Sequence, residues 1–198
     1  MPSDRRLEWA VATRPAPGAE VSGDTSVVVD GGDRTLIAAI DGLGHGPEAA
    51  AAARAAAEII SGYTDQPLDG LMRSCHDAMT HTRGAAITLA AIFDDGRVDW
   101  LAVGNVDAIV LRGGRTTTGS IEAVYHFPGV VGDQLPAVHA LTSHVVRGDV
   151  LTVTTDGIDG HYLTTIEPIG PPDLAARRIL HDHARDSDDA LVIVARVR

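Results

Sequence analysis

An α+β fold of mainly antiparallel sheets with helices packed outside is what this sequence predicts, and three observations predict it. Short apolar runs separated by Gly- and Asp-rich turns recur along the chain, as hairpin-linked strands do. The helical segments fall in two blocks instead of alternating with single strands, which argues against a parallel sheet built from βαβ units. The 198 residues contain no internal repeat, low-complexity stretch or linker, so one domain is expected over 1–198.

Taken in order, residues 7–13 (LEWAVAT) read as a strand, and the Pro- and Gly-rich stretch 14–23 as a loop. Residues 25–30 (TSVVVD) and 35–40 (TLIAAI) are strands joined at Gly31-Gly32-Asp33, a hairpin signal. The Ala-rich run 49–60 has strong helix propensity. Pro47 suits its first position, and Glu48 lies in its first turn. A second helix is expected over 67–81, because Leu68, Leu71, Met72, Cys75 and Met79 recur at spacings of three and four. Short strands at 85–93, 97–104 and 106–112 follow, joined by turns at Asp94-Asp95-Gly96 and Gly104-Asn105. Further strands are expected at 121–126, 142–147 and 149–155, a helix at 172–184, and a closing strand at 190–197.

Composition excludes several function classes. The formal net charge is −11, and every fixed side-chain cation is an Arg, since the chain has no Lys. Such a surface repels nucleic-acid phosphates and anionic membranes, so neither is expected as a partner. Aromatic residues make up 4% of the chain, too few for a base-stacking platform. A single cysteine, Cys75, rules out an internal disulfide and fits a reducing compartment. The first residues, MPSDRRLEWAVATRP, carry no apolar run of signal-peptide length, so a cytoplasmic protein is expected.

Four acidic positions share a context. Asp41 ends TLIAAI and Asp156 follows VLTVTT, each with a Gly after it. Asp24 opens TSVVVD, and Asp188-Asp189 open the last strand. The exit of one antiparallel strand lies beside the entry of its neighbour, so these carboxylates can meet at one edge of the sheets. Converging carboxylates repel one another unless a cation neutralises them, and hard oxygen ligands favour Mg²⁺ or Mn²⁺. Gly42, lacking a Cβ, can bring its carbonyl close to an ion. Read alone, each Asp-Gly pair is usually a turn.

The ordered set GDTSVVVD (23–30), AAIDGLGHGPEAA (38–50), LAVGN (101–105), TTDGI (154–158) and DDALVIV (188–194) resembles the PP2C-type (PPM) metal-dependent protein phosphatases of the SpoIIE-like branch. HTRGAAITLAAI at 81–92 is most similar to the stressosome feedback phosphatase (RsbX) subgroup. The resemblance implies a four-layer α-β-β-α sandwich. It also implies a serine/threonine phosphatase holding two divalent cations, Mn²⁺ or Mg²⁺, that acts on a phosphorylated STAS-type regulatory protein. By the same resemblance Asp41 bridges both ions, Gly42 offers its carbonyl, and Asp156 and Asp188 complete the set. Asp24 acts through water, and Asp189 is the alternative to Asp188. The alternative function is a phosphoprotein-binding module of the same fold without catalysis.

Two family features are displaced in this chain. The Arg that grips phosphate elsewhere has Arg14, in the 14–23 loop, as its nearest counterpart. The position after the Asp-Gly pair, His in some relatives, is Leu43, and His45 follows as a candidate general acid or as a residue leading into the helix at Pro47. Leu43 also interrupts the Asp-x-Gly-x-Gly pattern of a phosphate-cradling ATPase, and no Gly-Lys-Ser/Thr loop is present. Ser22 and Ser26 have no legible His-Asp partners for nucleophilic chemistry, and no paired Cys and His pattern marks a zinc site. His181 and His183 read as solvated residues at a helix C-terminus, and Cys75 as an inert core residue.

Overall fold

The structure is a computed structural model describing residues 7–114, 120–165 and 170–198. Its strands form two sheets. One has the order β1 (Leu7–Arg14), β11 (Ala190–Val197), β10 (Val150–Thr154), β6 (Asp107–Leu111), β7 (Ile121–Ala123). The other runs β2 (Asp24–Asp30), β3 (Arg34–Gly42), β4 (Ala85–Phe93), β5 (Arg97–Val103), β8 (His126–Phe127), with β9 (Leu141–His144) also pairing with β5. Every pairing is antiparallel except β5 with β8. Helices α1 (Pro47–Ser61) and α2 (Leu68–Met79) cover the second sheet, and α3 (Tyr162–Thr165) and α4 (Pro172–His183) cover the first. The four layers follow from side-chain alternation. On β3, Leu36, Ala38 and Ile40 pack under α1 and α2, while Ile37 and Ala39 meet the facing sheet. On β11, Leu191, Ile193 and Ala195 enter the space between the sheets, while Ala190, Val192 and Val194 face α4. Strands buried on both faces must be apolar throughout, which explains runs such as ALVIVARV.

The Ala-rich surface of α1 brings its backbone close to the strands. A Cβ on Gly42 would sit 2.1 Å from the Ala49 carbonyl oxygen, so the helix occupies the space a side chain would need. Helix α2 buries Leu68, Leu71, Met72, Cys75 and Met79, the five positions its spacing predicts. Burial pushes the Cys75 thiol up to about 12, which leaves it protonated and inert.

Several expectations need correction. The Gly104-Asn105 turn does not join a hairpin, because β5 and β6 belong to different sheets and the chain crosses the sandwich there. The strand expected over 121–126 is two pieces, β7 and β8, again in different sheets. Arg14 ends β1 opposite Ala190 and is not in the loop. His181 is exposed beside Asp182, but His183 is half-buried with its ring edge toward Tyr162. The N-terminal residues 1–6 lie outside the described residues. No helix among the described residues is long and apolar enough to cross a membrane.

Candidate metal centre

Hairpin register brings the first two acids together. Asp24 opens β2 and Asp41 lies near the end of β3, and the two are direct cross-strand partners. The other pair comes from the opposite sheet. Asp156 follows the end of β10, and Asp188-Asp189 precede β11, the neighbour of β10. Thr155 stitches the two sheets. Its hydroxyl donates to Asp24 Oδ2 at 2.7 Å and accepts from the Leu191 amide at 2.9 Å. Asp24 is thereby buried and fixed.

Their partners separate the roles of the acids. Asp41 accepts no side-chain hydrogen bond from any described residue. Burial pushes its carboxyl up to about 8, and the charges of Asp24, Asp156, Asp188 and Asp189 push the same way. Asp24 is raised to about 7, chiefly by burial and against the pull of Thr155. Asp156 is raised by desolvation first and by Asp188 next, although its side chain reaches solvent. The side-chain amide of Asn105 donates to Asp156 Oδ2 at 2.7 Å.

Asp188 and Asp189 differ sharply. Asp189 is buried, and its oxygens accept from the Ala16 and Gly23 amides, each at 2.8 Å. Both oxygens are spent on fastening the 16–23 loop. Asp188 is only half-buried and accepts from the Asp189 amide through Oδ1 alone, leaving Oδ2 without a partner among the described residues.

The glycines after the acids serve packing. Gly42 must lack a side chain because α1 passes over it, a packing reason that stands beside the expected approach of its carbonyl to an ion. Gly157 repeats the pattern, for a Cβ there would sit 1.8 Å from the Asp189 carbonyl oxygen. Between Gly42 and α1, the loop is braced by the Leu43 amide on the Gly84 carbonyl at 3.0 Å and by the Arg83–Glu48 ion pair. His45 is exposed in this loop between Gly44 and Gly46, which have φ of 87° and 78°, and it makes no side-chain bond with a described residue.

Two cations lie nearby. Arg14 is engaged, donating to the Arg185 carbonyl at 2.6 Å and lying 3.7 Å from Asp186. The Arg185 guanidinium has no hydrogen-bond or ion-pair partner among the described residues, and its charge opposes the upward shift of Asp156.

The donor set suits a hard divalent cation: several carboxylates, one of them unpartnered, repelling one another beneath partial burial. Among the described residues no three His, Cys, Asp or Glu side chains close tightly enough to cage an ion unaided. Mg²⁺-type ions keep several waters and take only one or two carboxylates directly, so an open set is compatible with them. Charge marks this site more than concavity does. A cavity of about 420 Å³ lies at the opposite end of the sandwich, bordered by Leu7, Trp9, Arg34, Phe93 and Val146, and none of these site acids lines it.

Sequence reasoning missed Asn105 as a contact of Asp156, although LAVGN flagged its position. It also missed Thr155, whose only signal is its place before Asp156.

Residues 31–198 match the family model of stage II sporulation protein E (SpoIIE). The phosphoserine phosphatase RsbX of Bacillus subtilis (strain 168) is 27% identical over 146 residues, 72% of this chain and 70% of that protein. A solved chain of the bacterial stressosome, a system adapted to control secondary messenger signaling, superposes with a TM-score of 0.85 at 29% identity, over 97% of this chain and 100% of that one. RsbX in complex with magnesium has the same fold, with a TM-score of 0.85 at 19% identity, over 97% of this chain and 96% of that one.

Proposed function

The chain belongs to the SpoIIE family of PP2C-type serine/threonine phosphatases, and on that basis we propose that it hydrolyses a phosphoserine or phosphothreonine ester on a regulatory protein with metal-activated water. What carries the reading is Asp41, a carboxylate without a hydrogen-bond partner, pushed up to about 8 by burial and by four other carboxylates. Folding such a group into a charge conflict is costly, and a cation removes the conflict.

Asp41, the Gly42 carbonyl, Asp156 and Asp188 would hold the ions. The free Oδ2 of Asp188 supports choosing it over Asp189, whose oxygens hold the Ala16 and Gly23 amides. Two divalent cations, Mn²⁺ or Mg²⁺, would supply a nucleophilic water at neutral pH and offset charge on the phosphoryl oxygens. Asp24, bonded to Thr155, would act through water beside Asp41. Asn105 holds Asp156 in place. The unpartnered guanidinium of Arg185 is better disposed than Arg14 to contact the phosphate, since Arg14 is committed to the 185–186 turn. His45, exposed and unpartnered beside the helix start, is free to protonate a leaving seryl oxygen.

The partner is a phosphorylated protein of the STAS type. RsbX is a phosphoserine phosphatase, and the stressosome chain shares this fold across its whole length, which supports a stress-signalling substrate. Purified protein should release phosphate from a serine-phosphorylated STAS protein with Mn²⁺ and stop in EDTA. Full activity in Asp41→Ala would sink the metal assignment. Metal binding without turnover on any phosphoprotein would favour a binding module.

A further inference from the structure

Outside the acids, one His–Asp pair touches the machinery. His126, on β8, faces two acceptors. Its Nδ1 lies 2.8 Å from the Gly104 carbonyl oxygen, and its Nε2 lies 2.8 Å from Asp107 Oδ1. A neutral imidazole has one N–H and can satisfy only one of them. The doubly protonated ring has a hydrogen for each.

One of the two residues between these acceptors matters. Gly104 and Asp107 bracket Asn105, whose amide donates to Asp156. This is the place where the chain leaves one sheet for the other, so no ladder holds the Asn105 backbone on both sides. Gly104 has φ 92°, and a Cβ there would sit 2.5 Å from that of Ala86, so the turn has little room to shift toward β4. Its amide donates to the Phe127 carbonyl at 3.1 Å. Asp107 pairs across the ladder with Thr154, two residues before Asp156.

We propose that His126, as an imidazolium clamped between the Gly104 carbonyl and Asp107, is a positioning residue that fixes the crossover and through Asn105 aims Asp156. The role rests on the phosphatase reading above. The charged groups facing it are few. Asp107 of β6 accepts the bond from Nε2–H, and that bond is the main cause that raises His126 above its ordinary value. Tyr162 of α3 feels the Asp107 charge, and Asp156 is reached only through Asn105. His139 meets the neighbouring Phe127 ring edge-to-face, 5.2 Å between centroids. Raising the pH through the His126 titration removes one of its two bonds and frees the turn.

The test separates this role from the reaction itself. In metal-free protein, NMR follows the His126 ring, assigned by difference with His126→Gln, and the Asn105 side-chain amide. The expected result is a His126 midpoint above the ordinary 6.5, an Asn105 shift with the same midpoint, and loss of that shift in His126→Gln. Asp107→Asn should lower both midpoints together. Calorimetry with Mn²⁺ should then give His126→Gln about 10-fold weaker affinity than wild type at pH 6, converging at pH 9. Asn105 signals that ignore the His126 midpoint overturn the proposal, as does unchanged Mn²⁺ affinity in a His126→Gln protein that melts like wild type. Absence of turnover in wild type counts against the phosphatase reading alone, because none of these readouts uses catalysis.

Discussion

Replacing Asp41 with Asn tests the charge conflict at the sheet ends directly. The Asp41 carboxyl titrates at 3.8 in an unfolded chain and at about 8 in the fold. Between those values the folded state holds more protons than the unfolded one, so stability falls as pH rises through the window and is flat below it. Each pH unit inside the window costs about 1.4 kcal/mol, giving on the order of 4 kcal/mol at pH 7. Partial solvent access to the group reduces this to roughly 2 kcal/mol. A neutral Asn escapes that cost. For a chain of this size about 2 kcal/mol corresponds to a rise of about 4–8 °C in melting temperature. Thermal melts followed by circular dichroism in EDTA, from pH 5 to pH 8, measure it. Asp41→Asn should melt higher than wild type at pH 8 and converge with it toward pH 5. Mn²⁺ should raise the wild type and leave the variant where it was. Parallel melting curves across the window, or a variant less stable at pH 8 in EDTA, would refute the reasoning.

Asn105→Ala removes the 2.7 Å bond to Asp156 and should weaken Mn²⁺ affinity about 10-fold by calorimetry, with little change in melting temperature. Asp188→Asn should abolish phosphate release while melting within about 0.5 kcal/mol of wild type. Asp189→Ala leaves the Ala16 and Gly23 amides without their acceptor, and urea unfolding should record a loss of about 2–4 kcal/mol. Gly157→Ala drives a methyl into the Asp189 carbonyl oxygen at 1.8 Å and should cost about 3 kcal/mol or more on the same assay.

Much of the fold was legible because its strands carry their own punctuation. The Gly31-Gly32-Asp33 turn predicts the β2–β3 hairpin, and that hairpin's register alone sets Asp24 opposite Asp41. Helix α2 declared its buried face through five apolar positions. The crossover at Gly104-Asn105 was not legible, because a two-residue turn has the same residue types whether the chain folds back or changes sheet. Asn105, Thr155 and His126 stayed hidden for a related reason. Each acts on a partner more than 20 residues away, or through a backbone carbonyl that any residue could present. Gly42 has a second reason to be glycine that was not legible, since its neighbour is the backbone of α1 and no local pattern announces that a helix will pass so close.

The acids are shared between the two layers: Asp24 and Asp41 belong to one sheet, Asp156, Asp188 and Asp189 to the other. Their repulsion therefore pushes the layers apart and leaves the strands within each layer paired. At that end the Thr155–Asp24 and Gly23–Asp189 bonds act as stitches across the seam. On the proposed reading, cations held by Asp41 of one sheet and by Asp156 and Asp188 of the other would rivet both plates, and withdrawing them would leave a sprung joint. Amide exchange in the chelated protein should accordingly quicken first at Gly23 and Leu191, on the lip of the seam, while the mid-strand amides of β3 and β11 keep their protection.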